Sequence, residues 1–172
     1  QSLGLLCVRT NYDESEYFPN GKAGFPHEQG HPRVTLVEGL FLLSSKMVIL
    51  HHVEGYENFL KFMKNFESNE TVYVLYTGKK LPNGKSWCPD CVEAEPFIED
   101  GFKRVLKSVH LVEVEVGDRP FWKDLNCPFR TNSVTKLRVL PTLAKWNTQK
   151  RLEGDQCQMI DLLEMLLSDE DD

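Results

Sequence analysis

The sequence predicts an α/β fold, a central mixed β-sheet with helices on both faces. Three observations carry that expectation. Short β-branched and aromatic runs alternate with segments of helical period from Met47 to Leu167, and such alternation layers helices over a sheet. The run Thr71–Thr77 (TVYVLYT) is apolar on both of its alternating faces, as in a strand covered on two sides. The order reads β-α-β-α-β, then a connection, then β-β-α.

The first segment, residues 1–46, stands apart. Thr10–Pro32 holds three prolines and three glycines, a density of breakers that marks loop or disorder. A poorly ordered N-terminal extension is expected there. Thr35–Ser45 (TLVEGLFLLSS) is apolar, but it lies far from the start and contains Glu38, so it does not read as a secretory signal. Everything from Met47 onward fits one domain, 47–172. Met47 is therefore expected to be the usual start, with 1–46 lying upstream of it.

Met47–Val53 is a short apolar strand candidate. Gly55–Glu67 sets Tyr56, Phe59, Leu60, Met63 and Phe66 at helical spacing. After Thr71–Thr77 comes a polar loop, Gly78–Ser86. Cys88–Leu106 reads as a helix with Pro96 inside it, where the missing N–H is expected to kink it. His110–Val116 (HLVEVEV) alternates as a strand does. Asp118–Thr131 is a long connection anchored by Phe121, Trp122 and Phe129. Thr142–Trp146 and Lys150–Leu152 are short strands about a turn, and Met159–Leu167 is an amphipathic helix before the acidic Ser168–Asp172.

Composition narrows the function. With 172 residues, 41% hydrophobic and 27% charged, the chain is globular and of one-domain size. Twenty basic residues face 26 acidic ones, for a net charge of −6. That balance argues against nucleic acid, whose phosphates are bound mainly by Lys and Arg. The apolar stretches Leu40–Leu43 and Met47–Leu50 are split by Ser44–Lys46, short of the ~20 residues of a membrane span. Five cysteines, at 7, 88, 91, 127 and 157, are an odd count unlike a secreted disulfide framework. Reduced, cytoplasmic surroundings and a monomer are expected.

Only Cys88 and Cys91 are spaced as C-x-x-C, within Trp87-Cys88-Pro89-Asp90-Cys91. The motif follows a buried strand and opens a helix. At a helix N-terminus the free backbone N–H groups and the dipole favour thiolate, the attacking species in exchange. Cys88 is thus the expected nucleophile, and Cys91, one turn on, the resolving thiol. Pro89 fixes φ in the first turn. Asp90 suits the helix start by its charge but repels a thiolate on Cys88. Trp87 is either a flat cover over the thiols or an ordinary packing aromatic. A static disulfide and half of a zinc site are the competing readings of the pair; the strand–helix context favours redox chemistry. Zinc would require Cys127 and His110 to converge on it.

The run Gly84–Pro96 (GKSWCPDCVEAEP) resembles the active site of the small cytosolic thioredoxin-related proteins, a family within the thioredoxin superfamily. The resemblance extends through Val116–Asp124 (VGDRPFWKD), Phe129-Arg130, Leu140–Leu143 (LPTL) and the acidic C-terminus, covering 47–172 and leaving 1–46 unmatched. It implies a thioredoxin fold, with Pro141 as a cis-proline opposite the thiols and Leu140 offering its backbone to substrate. It also implies a disulfide reductase that takes electrons from thioredoxin reductase and acts on cystine, selected protein disulfides and nitrosylated thiols, with peroxidase activity besides. No bound organic cofactor is expected. Two departures from ordinary thioredoxin stand out: Val72–Thr77 holds no carboxylate where thioredoxin keeps a buried acid, and the loop Gly78–Ser86 is long.

The remaining candidates carry less. Cys127, in a polar connection, and Cys157, opening the last helix, are placed where exposure is expected; they are either regulatory thiols or unpaired bystanders, the second reading being favoured. His51 and His52 point to opposite faces of a strand, and so are structural or solvated rather than metal ligands. Glu93 and Glu95 are candidates to relay a proton to Cys91. A glutaredoxin-like enzyme using glutathione is disfavoured by Trp87 and Asp90. A redox-sensitive protein-binding module with little turnover is the alternative from another class.

Overall fold

The computed structural model describes residues 8–11, 47–66 and 69–168. Strand β1 (Val8–Asn11) is followed by β2 (Val48–Glu54), α1 (Tyr56–Met63), β3 (Val72–Thr77), α2 (Pro89–Lys103) and β4 (Val109–Glu115). Two short helices, α3 (Arg119–Lys123) and α4 (Pro128–Thr131), lead to β5 (Thr142–Lys145) and β6 (Arg151–Glu153). A 3₁₀ turn (Gly154–Gln158) then leads into α5 (Ile160–Ser168).

Five of the strands lie in the order β2-β4-β3-β5-β6, and β1 adds a sixth beside β2. Strands β1 to β4 are mutually parallel, whereas β5 and β6 run antiparallel. The expected mixed sheet is present. Within the stretch read as an extension, β1 is a strand in register with β2, Val8 opposite Ile49. The rest of 1–46, and the acidic tail beyond Ser168, lie outside the described residues.

Alternation along the central strands builds two apolar layers. Val72, Val74 and Tyr76 of β3, with Val112 and Val114 of β4, pack toward α1 and the α3–α4 segment. Tyr73, Val109 and Leu111 face α2 and α5, against Ile98, Phe102 and Leu163. On the first face Phe59 meets Tyr76 and Trp146 edge to face, and Tyr56 meets Phe129 likewise. Such pairs add about 0.5–1.5 kcal/mol each beyond their burial. The sheet is therefore held rigidly from both sides, and the β3–α2 junction sits on a fixed platform.

The Asp118–Thr131 connection is more ordered than its sequence announces. Asp118 caps α3 by accepting from the Phe121 N–H at 2.9 Å, and Pro120 and Pro128 sit in the first turns of α3 and α4. Proline is tolerated there because the first-turn N–H groups have no intrahelical partner. Trp122 and Phe129 are buried as expected; Phe121 is not an anchor but lies half in solvent against Gly117. Helix α2 runs through Pro96 as one element.

Candidate active site

Strand β3 delivers the chain to a tight hairpin, residues 78–87, which hands it to α2. Lys80 and Ser86 form a bridge, and the Leu81 N–H bonds to the Lys85 carbonyl at 2.8 Å. The Ser86 hydroxyl donates to the Gly78 carbonyl at 2.8 Å and accepts the Cys88 N–H at 3.2 Å. Ser86 thus fixes the backbone at Cys88. Its place before the motif was visible in the sequence, but its geometry was not.

Cys88 is the N-cap of α2, and its Sγ accepts the Cys91 N–H at 3.3 Å. That bond satisfies one orphan donor of the helix terminus and would equally hold a thiolate. Cys88 and Cys91 form a disulfide with Cα atoms 5.3 Å apart. Both are nearly closed off, at 5% and 6% exposure. Pro89 occupies the first turn, and Asp90 is exposed. The Leu140–Pro141 peptide is cis, as the family resemblance implies, and the Leu140 carbonyl lies 3.9 Å from the Cys88 Sγ.

Trp87 packs against the first core layer and donates its indole N–H to the Gly117 carbonyl at 2.8 Å. Gly117 has φ +108°, a conformation that glycine adopts freely. Trp87 also lines the cleft beside Cys88.

A carboxylate does lie on the strand beside β3. Glu113 of β4 stands opposite Leu75 in the sheet register and lines a small cavity with Cys91, Lys80 and Pro141. Its partners are Lys80 at 2.7 Å and His52 at 3.9 Å. Burial works against its charged form, but His52 and Lys80 outweigh that and hold the carboxyl at about 2. Hydrogen bonding to Glu113 in turn raises the His52 imidazole against the opposing effect of burial. Strand register brings these three together, so the sequence reading missed them. Glu95 lines the same cavity and Glu93 does not.

Two expectations are corrected. Cys127 and Cys157 are not accessible; they are 1% and 0% exposed. Cys127 lies in the α1-side core, and burial pushes the Cys157 thiol up to about 11. Both behave as small apolar residues. His51 and His52 do point to opposite faces. His51 hydrogen-bonds His110 at 2.9 Å beside Phe62 and Phe66, while His52 faces Glu113 and Glu115.

With this geometry in place, comparison with known proteins identifies the family. Residues 52–169 match the family described as thioredoxin domain-containing protein 17-like, thioredoxin domain. The chain belongs to that family. Thioredoxin domain-containing protein 17 of Mus musculus is 42% identical over 118 residues, and that of Homo sapiens 38%. Each match covers 69% of this chain and 94% of the relative. Thioredoxin-like protein Clot of Arabidopsis thaliana is 35% identical over 118 residues, 65% of this chain and 88% of its own length. As a thioredoxin domain-containing protein 17-like chain it has the thioredoxin fold and, in general terms, a thiol–disulfide oxidoreductase-like role. No helix among the described residues is long and apolar enough to cross a membrane.

Proposed function

We propose that this chain is a disulfide reductase of the thioredoxin type, working through reversible Cys88–Cys91 dithiol–disulfide exchange. The observation that carries the reading is the Cys88 Sγ at the α2 N-terminus, accepting the Cys91 N–H and bonded to the Cys91 sulfur. In the reduced enzyme the Cys88 thiolate attacks one sulfur of a substrate R–S–S–R. The substrate S–S bond breaks, one R–S⁻ leaves and takes a proton, and Cys88 holds a mixed disulfide. Cys91 gives up its proton, attacks the Cys88 sulfur and expels the second thiol. Two electrons and two protons pass to the substrate. A second dithiol donor, proposed to be thioredoxin reductase, restores the pair.

Pro89, Asp90 and Trp87 tune the pair in this reading, and Leu140 and Pro141 present backbone to the substrate. Near-complete burial of both sulfurs supports small or selected disulfides over bulky ones, cystine among them. Nitrosylated thiols and peroxides are proposed as further acceptors of the same nucleophile. The working form is proposed to be a cytoplasmic monomer, with 47–172 as the catalytic domain and 1–46 as an extension. A family match that starts at residue 52 supports that division.

The test is reduction of cystine and of insulin by NADPH plus thioredoxin reductase, with Cys88→Ser as control. Cystine turnover with little on insulin, lost in the variant, is expected. No turnover of either, with the pair still oxidising reversibly, would instead support a redox-sensitive binding module.

A further inference from the structure

Charge is divided across the thiol pair. On the Cys91 side, the cavity is lined by Glu95, Glu99 and Glu113 against one cation, Lys80. On the Cys88 side, a cleft of about 210 Å³ is lined by Arg119, Lys123 and Arg138 against one carboxylate, Asp90. The second arrangement runs against a chain of net charge −6. Several cations elsewhere on the surface are neutralised by carboxylates. Lys79 pairs with Glu54, Lys80 with Glu113, Arg104 with Asp100 and Glu164, and Arg151 with Glu153. Among the described residues no ion pair engages Arg119, Lys123 or Arg138, and all three are exposed.

The three come from separate parts of the fold. Arg119 and Lys123 are one helical turn apart on α3, and Arg138 precedes the cis Leu140–Pro141 bond. Helix α3 is fixed there by its Asp118 cap and by Trp122, which is buried and carries the Arg130 guanidinium 5.5 Å from its ring centre. The cations therefore line the same cleft as Cys88. Unpaired charges of one sign along a cleft attract and orient oppositely charged ligands.

We infer that Arg119, Lys123 and Arg138 form an anion-recognising rim that selects small disulfides bearing carboxylates close to the sulfur. The inference rests on the reductase reading and adds its substrate class. The rim places the reacting sulfur over Cys88 by holding the flanking carboxylate. It also stabilises the thiolate that leaves when the substrate S–S bond breaks. The exchange is that given above: the Cys88–Cys91 dithiol loses two electrons and two protons to one disulfide, giving two thiols.

The test uses the full chain, reduced beforehand with dithiothreitol and freed of it, in single turnover. Three symmetric disulfides serve as probes: dithiodiglycolate (a dianion), bis(2-hydroxyethyl) disulfide (neutral) and cystamine (a dication). Each oxidation rate is divided by the rate of the same disulfide with dithiothreitol, which removes differences in leaving-group reactivity. At low salt the normalised rate of the dianion should exceed that of the dication by about tenfold or more, an advantage that shrinks toward 1 M salt. Arg138→Gln should cut that ratio about threefold and Lys123→Gln/Arg138→Gln further, while Lys103→Gln at the far end of α2 leaves it unchanged. Fast reaction with equal normalised rates, or a ratio indifferent to salt and to the rim variants, overturns the rim alone. Negligible oxidation by all three probes overturns the reductase reading and the rim with it.

Discussion

The Trp87 indole N–H donates to the Gly117 carbonyl, 30 residues away in sequence, at 2.8 Å. This bond ties the residue before Cys88 to the turn that follows β4. The ring is confined on its other side by Gly78, where a Cβ would stand 2.7 Å from the Trp87 Cε2 and 2.8 Å from the Ser86 Oγ. Two glycines from different strand ends thus shape the seat of one tryptophan.

Gly78→Ala should therefore displace both Trp87 and Ser86. Forcing a methyl into such a packed site costs about 1–3 kcal/mol. A lower urea midpoint and a shifted tryptophan emission are expected, with slower exchange at Cys88. An unchanged emission spectrum would show that the ring has room to spare.

Glu113 gives the protein a defined acid response. A carboxyl held at about 2, against 4.5 for the free group, contributes stability that is complete above 4.5 and is lost as pH falls from there toward 2. Wild type should lose roughly 2 to 3 kcal/mol more than Glu113→Gln on moving from neutral pH to pH 2. Parallel acid-unfolding curves for the two proteins would remove this role. His52 acts oppositely, since its raised imidazole stabilises the fold below about 6.5 and that contribution fades as pH rises through the raised value.

The buried thiols should be silent. When the reduced native protein is treated with iodoacetamide near pH 8, mass spectrometry of its peptides should find label at Cys88 and none at Cys127 or Cys157. Urea should expose both to rapid labelling. Native labelling of Cys157 at a rate like that of Cys88 would contradict its burial and its thiol held at about 11.

Asp90 lies exposed in the first turn of α2, two residues from Cys88. Its charge is screened by water, so its effect on a Cys88 thiolate is repulsive but small. Asp90→Asn should speed alkylation of Cys88 at neutral pH by about two- to threefold, less at high salt. Slower alkylation would mean that its support of the helix start outweighs the repulsion.

Local sequence carried a great deal here. The β-type and helical periods from Met47 onward fixed each major element to within a few residues, because side-chain period follows backbone geometry directly. The strand–Trp-Cys-Pro-Asp-Cys–helix run also placed Cys88 at a helix start with Cys91 one turn on, since an N-cap position and one helical turn are local facts. Pattern reading failed where short range was not enough. The connection 118–131 hid two helices whose proline starts look like breakers. Cys127 and Cys157 looked accessible because their burial comes from distant elements closing over them.

What the tertiary structure alone decided is everything built across strands and turns. Glu113 lines one cavity with Cys91 because β4 lies beside β3 in one register, which no pattern within either strand encodes. Arg119, Lys123 and Arg138 meet at the Cys88 cleft only once α3 and the segment before Pro141 are folded against the α2 terminus. The sequence by itself determined that the Cys88–Cys91 motif opens a helix after a buried strand, since that depends on neighbours along the chain. The charge that surrounds Cys88 depends on neighbours in space, and only the fold brings those together.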